Sequence, residues 1–182
     1  MVDYVPRLKR LFIQDLARMR LLKLVATLNL PDAWVAAGFV RNMVWDDLHN
    51  MPNQSLNDVD VIFFAPTDVD DHCAQAATRA LRMLAPEVNW QVKNQAFMHI
   101  RNQDLPYKNC ADAMSYWPEK ETAVAVCVSG SGELMVNAPF GLESLFMGHV
   151  SHNPKRDKRV YSQRIADKKW LSIWPKLRLM SE

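Results

Sequence analysis

Two aspartates two positions apart, Asp58 and Asp60, have the spacing that most directly suggests chemistry. They open the run 58–64, which alternates and then becomes wholly apolar, as in a strand that enters a core. Residues two apart in a strand project from one face, about 6–7 Å apart, so both carboxylates share a surface. A divalent cation would offset their repulsion, and Mg²⁺ is commonly completed by substrate phosphates. The pair predicts a metal site; the alternative is two solvated aspartates.

A second candidate site lies twenty residues earlier, in the segment Ala36-Ala37-Gly38-Phe39-Val40-Arg41-Asn42. A short apolar run, a glycine and then a helical spacing predict a strand, a turn and a helix. The free N–H groups at the start of a helix bind phosphate, and Arg41 lies over the first turn. Its guanidinium could hold a phosphate or an acidic partner, whereas an exposed arginine on an ordinary turn is the alternative.

These residues need a scaffold, and the pattern of the whole chain predicts an α+β fold in which helices flank a mixed sheet. One domain over 1–182 is expected. Helices are predicted over about 6–28, 39–48, 70–85, 141–150 and 160–171. Strands are predicted over 33–37, 58–64, 88–92, 123–128 and 134–137, with a loop over 51–57 and a hairpin turn over 129–132.

The composition narrows the class of protein. With 182 residues, 49% of them hydrophobic and 23% charged, the chain has the balance of a globular protein. No window approaches a membrane span, so no membrane partner is expected. Three cysteines without a CxxC spacing indicate neither a disulfide framework nor a zinc ribbon, and a cytoplasmic location is predicted.

Positive charge is concentrated in a C-terminal helical segment, about 154–178, which holds nine Lys and Arg against two Asp. Such a segment attracts polyanions, or it is simply a solvated helix face. Trp170 and Trp174, four residues apart, favour a helix that docks on the core by its aromatic face.

The order glycine, helix with arginine, loop, and strand with Asp-x-Asp resembles the DNA polymerase β-type nucleotidyltransferases. The segments "AAGFVRNMVWDDLHN" and "NDVDVIFF" are similar to the head motif of tRNA nucleotidyltransferases and poly(A) polymerases. A group of small bacterial nucleotidyltransferase-like proteins is closer still. The motifs shared with that group run along nearly the whole chain: 40–42, 44–46, 58–61, 90–96, 117–119, 122–124, 138–142, 153–154 and 174–175.

The resemblance implies transfer of a nucleoside monophosphate from a nucleoside triphosphate to an acceptor, which the sequence does not identify. It implies that Asp58 and Asp60 are catalytic and hold Mg²⁺ or Mn²⁺. The nucleotide-binding residues would be Gly38, Arg41, Asn42, Lys93, Asn94 and Gln95. For the last three, a polar strand end is an equal alternative.

Three departures from the family pattern keep a second interpretation open. The position expected for a third carboxylate is the neutral Gln91, with Asp112 and Glu121 as substitutes. Ala36 and Ala37 stand where relatives have another glycine, and Cys127 where arginine is expected. The alternatives are therefore a catalytically impaired nucleotide- or nucleic-acid-binding module of the same fold, and a purely structural interaction protein.

Overall fold

A five-stranded mixed sheet organises the protein, for which a computed structural model describes residues 2–52, 54 and 56–180. The strands are β1 (Trp34–Ala36), β2 (Val59–Phe63), β3 (Trp90–Asn94), β4 (Ala125–Val128) and β5 (Leu134–Asn137). Their order is β3-β2-β1-β4-β5, with β2 and β3 parallel and the other pairs antiparallel. The predicted β4–β5 hairpin is present. Two short strands, β6 (His149–Ser151) and β7 (Arg178–Met180), pair in parallel beside the main sheet.

Helices surround the sheet, as the α+β prediction requires. They are α1 (Val5–Gln14), α2 (Leu16–Ala26), α3 (Gly38–Leu48), α4 (His72–Leu84), α5 (Met98–Asn102), α6 (Cys110–Met114), α7 (Glu143–Phe146), α8 (Lys158–Lys168) and α9 (Trp170–Ile173). Within the described residues, every helix is too short or too polar to cross a membrane.

The sheet has one large and one small apolar face, because successive strand residues point to opposite sides. Val35, Val59 and Val61 belong to the main core together with residues of α1, α2 and α3. Ala36 and Ile62 point the other way, into a smaller cluster with residues of α6. Asp60 is the register partner of Ala36, so it lies on the smaller face, where the sheet is only partly covered.

The single helix predicted over 6–28 is instead two helices that meet at Asp15. Asp15 leaves the helical conformation and caps α2, accepting a hydrogen bond from the Arg18 N–H at 2.9 Å. The buried Arg18 guanidinium also pairs with this carboxylate at 2.6 Å. A capping aspartate satisfies the free N–H groups of a helix start, which stabilises the break.

Three other element predictions need adjustment. The helix predicted over 141–150 is only the short α7, after which Gly148 adopts a φ of +70° and the chain continues as β6. The predicted strand 88–92 lies two residues later, as β3. The predicted helix 160–171 is α8 followed by α9. Of the predicted loop 51–57, Asn53 and Ser55 lie outside the described residues.

Candidate functional site

The alternation of β2 brings the two aspartates to one cleft. Val59 and Val61 are fully buried in the main core, whereas Asp58 and Asp60 face away from it. Both carboxylates line a cleft of about 320 Å³, called the main cleft below. Six of the eight residues predicted to form the site line it: Gly38, Arg41, Asn42, Asp58, Asp60 and Lys93.

The strand-to-helix turn predicted beside the aspartates is present, but its special residue is not the glycine. Ala37 connects β1 to α3 with a φ of +57° and a ψ of −124°, a conformation that glycine adopts far more readily. A Cβ added to Gly38 would lie 3.6 Å from the Arg41 and Asn42 side chains, an ordinary contact. The N-terminus of α3 opens into the cleft, and Ala37 is strained at its entrance.

Arg41 is a buried cation with a fixed position. Its guanidinium lies over two indole rings that contact each other edge to face, 4.8 Å from the Trp45 centroid and 4.4 Å from that of Trp170. It donates to Thr122 Oγ1 at 2.8 Å and to Asn42 Oδ1 at 2.9 Å. Burial lowers the pKa of Arg41 to about 10, so the side chain remains charged at neutral pH. The exposed arginine considered from the sequence is therefore wrong.

The three polar residues at the end of β3 are separated by the structure. Lys93 lines the main cleft, and its Nζ lies 3.6 Å from Asp60 Oδ1. Asn94 is buried and spans the Ala65 backbone, accepting from its N–H at 3.0 Å and donating to its carbonyl at 2.8 Å. Asn94 therefore holds a loop and does not line the cleft, contrary to its predicted nucleotide-binding role.

Gln95 lines an adjoining cavity of about 220 Å³, called the side pocket below. The side pocket and the main cleft share five residues as a common border: Ala37, Asp60, Lys93, Thr122 and Arg164. The candidate site is therefore a two-part cleft, with Asp60 on the border between its parts. Gln95 belongs to the part that lies away from α3.

The C-terminal segment supplies cleft residues that the motif analysis did not identify. These are Arg164, Lys168, Trp170, Ile173 and Trp174. The Arg164 Nε and one of its Nη atoms bond the carboxylate of Glu119, whose side chain is 1% exposed. The other Nη has no partner among the described residues, so this cation is fixed with donor capacity to spare. The four-residue spacing of Arg164 and Lys168 on one helix face was the available signal.

The two carboxylates fit a divalent cation that substrate phosphates complete. The described residues contain no cluster of three or more His, Cys, Asp and Glu side chains that could hold a metal by itself. Burial raises the pKa of Asp60, Lys93 opposes that shift, and the charge of Asp58 adds to it. A hard cation shared by both carboxylates would relieve the cost of holding them ionised side by side.

The position expected for a third carboxylate holds a neutral residue that lines neither the main cleft nor the side pocket. Gln91 on β3 is the register partner of Asp60. Glu121 is buried and accepts hydrogen bonds from the backbone and hydroxyl of Ser151. Asp112 on α6 accepts from the Lys108 N–H. Of the residues lining the main cleft and the side pocket, only Asp58 and Asp60 are acidic.

The third departure from the family pattern lies elsewhere. Cys127 on β4 lines neither the main cleft nor the side pocket; it borders a separate small cavity beside α2. Because position 127 lies outside both cavities, the absence of an arginine there does not remove a contact from the cleft.

The fold and the cleft define the class of protein as a polymerase β-like nucleotidyltransferase head. An NMR structure reported to reveal a CCA-adding enzyme head domain matches with a TM-score of 0.85 and 29% identity, over 100% of this chain and 98% of that chain. A CCA-adding enzyme in complex with CTP matches at 0.61 and 12% identity, over 99% of this chain and 44% of that chain. The complex of a CCA-adding enzyme with ATP matches at 0.57 and 11% identity, over 99% and 42%.

A family model described as nucleotidyltransferase matches residues 23–179, and the chain belongs to that family. The resemblance and the fold predicted from the sequence are thereby confirmed. The chain spans less than half the length of the two nucleotide-bound enzymes. No curated protein matches it.

Proposed function

We propose that this protein transfers a nucleoside monophosphate from a nucleoside triphosphate to an acceptor hydroxyl, with Mg²⁺ or Mn²⁺ held by Asp58 and Asp60. The observation that carries the proposal is the main cleft, where these carboxylates face a wall of fixed cations. The CTP and ATP complexes of the similar enzymes support a triphosphate as the substrate. The metal would neutralise the triphosphate and align the attacking and leaving oxygens.

The residues of the cleft have separate tasks in this proposal. The N-terminus of α3 and Arg41 bind the phosphates nearest the helix, since both are positive and point into the cleft. Arg164 and Lys168 bind them from the part of the cleft formed by α8. Phosphoryl-type transfers are accelerated mainly by positioning and charge stabilisation, which fixed cations provide without reorganisation.

A binding module without turnover is the second candidate, favoured by one observation. Gln91 occupies the register position beside Asp60 and is neutral. A carboxylate on the neighbouring strand could complete a second metal site and serve as general base, and an amide does neither. This candidate predicts triphosphate binding without product.

The test measures binding and transfer separately. A hydrolysis-resistant triphosphate at about 100 times its Kd, with Mg²⁺, should raise the melting temperature by about 5–10 °C. EDTA or the substitution Asp60→Asn should remove most of that increase. An equal increase with EDTA would exclude the metal from the mechanism. Label from an α-³²P triphosphate that appears in no acceptor, despite binding, would favour the binding module.

A further inference from the structure

The side pocket differs chemically from the main cleft that it adjoins. Beyond the shared border its walls are Ile62, Met98, Trp117 and Pro118, with Gln95 as the polar exception. All of these side chains are uncharged, whereas the main cleft beyond the border holds Arg41, Lys168 and Asp58. A charged substrate group is therefore stabilised on one side of Asp60 and an apolar group on the other.

The geometry of the reaction assigns the leaving pyrophosphate and the attacking oxygen to different sides of Asp60. In an in-line displacement the attacking oxygen and the leaving oxygen lie on opposite sides of the phosphorus. The cations of α3 and α8 place the leaving pyrophosphate in the main cleft. With the α-phosphorus at Asp60, the attacking oxygen approaches from across this residue, where the side pocket begins.

Resting on the proposed function, we infer that the side pocket receives the acceptor, and that the acceptor is an uncharged alcohol or phenol carried on an apolar body. The acceptor oxygen bonds to the α-phosphorus, and the bond from that phosphorus to the bridging oxygen breaks. Pyrophosphate leaves with the electron pair, and the hydroxyl proton passes to solvent water. Atoms and charge balance without an oxidant or another co-reactant.

Charge disfavours a nucleic-acid end in this pocket, which has a volume of about 220 Å³. Nucleic-acid affinity comes largely from phosphate contacts with Lys and Arg, and the walls beyond the border have neither. Of the two cations at the border, Lys93 is paired with Asp60, and Arg164 is already assigned to the triphosphate in the main cleft. The ring of Trp117 favours an aromatic or aliphatic body.

The experiment tests an uncharged hydroxyl group from two sources, a small molecule and a peptide. A nucleic acid is tested beside them as the alternative class of acceptor. The acceptors are N-acetyltyrosinamide, an unstructured tyrosine- and threonine-containing peptide, and a short oligoribonucleotide. Each is incubated with the protein, Mg²⁺ and α-³²P-labelled triphosphates. In parallel, each is added to protein saturated with an α,β-methylene triphosphate, and the melting temperature is measured, because this readout does not depend on turnover.

A matched pair of substitutions locates the acceptor. Met98→Trp fills the side pocket from the first residue of α5. Ile100→Trp adds the same ring two residues further along, at a side chain that is 68% exposed and lines neither cavity. We expect Met98→Trp to reduce labelling, or the shift caused by the acceptor, at least tenfold while the shift caused by the triphosphate is unchanged. Ile100→Trp should resemble the wild type.

The outcomes distinguish three questions: the source of the acceptor, the location of its binding site, and the validity of the proposed function. Labelling of the free amide indicates a small molecule, and labelling of the peptide alone indicates a protein side chain. Labelling of the oligonucleotide alone, undiminished labelling in Met98→Trp, or neither label nor shift with any hydroxyl probe would overturn the inference. A wild-type protein that shows no shift with the triphosphate itself would contradict the proposed function instead.

Discussion

At the scale of single residues, the buried cations show how charge is fixed before a substrate arrives. An arginine on the surface loses side-chain entropy when it grips a phosphate. Arg41 has already lost that freedom, because two tryptophan rings and two polar side chains hold its guanidinium. Its remaining interaction energy is available for a ligand in the cleft, which is the advantage of preorganisation.

Ala37 illustrates the opposite case, a residue whose type disagrees with its conformation. It occupies a positive φ between β1 and α3, where the sequence comparison led us to expect glycine. The cost for a residue with a Cβ is of order 1–3 kcal/mol. The strain lies at the border that the main cleft and the side pocket share.

Ala37→Gly should therefore raise the free energy of unfolding by about 1 kcal/mol, the strain relieved less the entropy that glycine adds to the unfolded chain. Denaturant unfolding of wild type and variant measures this difference. The matched control is Ala36→Gly, one residue earlier within β1, which should lower stability because its conformation is regular and its methyl is fully buried. A loss of stability in both variants would show that Ala37 is unstrained.

At the scale of elements, features determined by residues close in sequence were predicted, whereas features determined by long-range contacts were not. The alternation at 58–64 and the glycine before 39–48 gave β2 and α3, because both patterns are fixed by neighbours in sequence. The break at Asp15 was missed since the apolar spacing continues through it, although an aspartate before Leu16 is a capping signal. The role of Asn94 was misjudged because its partner, Ala65, is 29 residues away.

The basic C-terminal segment was predicted to cover the core, and it also forms one wall of the main cleft. Its position depends on a buried hydrogen bond, in which Trp174 Nε1 donates to Asp46 Oδ1 at 2.8 Å. Asp46 is fully buried on α3, and its second oxygen accepts from the Gln54 N–H. This buried hydrogen bond thus joins the C-terminal segment to the helix that carries Arg41, in addition to the exposed one from Lys176 Nζ to the Leu48 carbonyl.

Trp174→Phe should destabilise the protein by about 1–3 kcal/mol, because a buried carboxylate loses its donor, and the smaller phenyl ring adds a packing loss. The same exchange in an Asp46→Asn background should cost less, since a neutral amide tolerates the loss better. A double-mutant cycle with denaturant unfolding measures this coupling. Equal costs in both backgrounds would assign the effect to ring packing alone.

At the scale of the whole molecule, the site exists because distant segments meet at one end of the central strands. β1 lies between β2 and β4, which brings Ala37, Asp60 and Thr122 to one border. The sequence shows the first two within one motif, whereas Thr122 and the C-terminal wall arrive only through tertiary packing. No periodicity encodes such a meeting, and this is why Arg164 and Lys168 were not predicted, whereas the carboxylates, Arg41 and Lys93 were.

The same packing gives the basic residues of the C-terminal segment different roles. Arg156 is bound to Asp104 and to the Tyr116 carbonyl, and Lys155 lies over the ring of Tyr116. These two positions hold the segment against the body of the protein. A test of polyanion binding that neutralised Lys155 and Arg156 would therefore also disturb the fold. The test needs charged side chains of α8 that make few structural contacts.

Lys168 and Lys158, at the two ends of α8, provide that test. Both side chains are exposed, but only Lys168 lines the main cleft. A charge in contact with phosphate interacts far more strongly than one beyond the Debye length of about 8 Å. Lys168→Gln should therefore weaken binding of Mg²⁺–ATP at 0.15 M salt about five- to tenfold, and Lys158→Gln less than about twofold.

Isothermal titration measures both affinities, and an oligonucleotide titrated in parallel supplies the contrast. Similar losses of oligonucleotide affinity in both variants, with ATP binding unaffected, would show that α8 grips an extended polyanion and not a compact triphosphate.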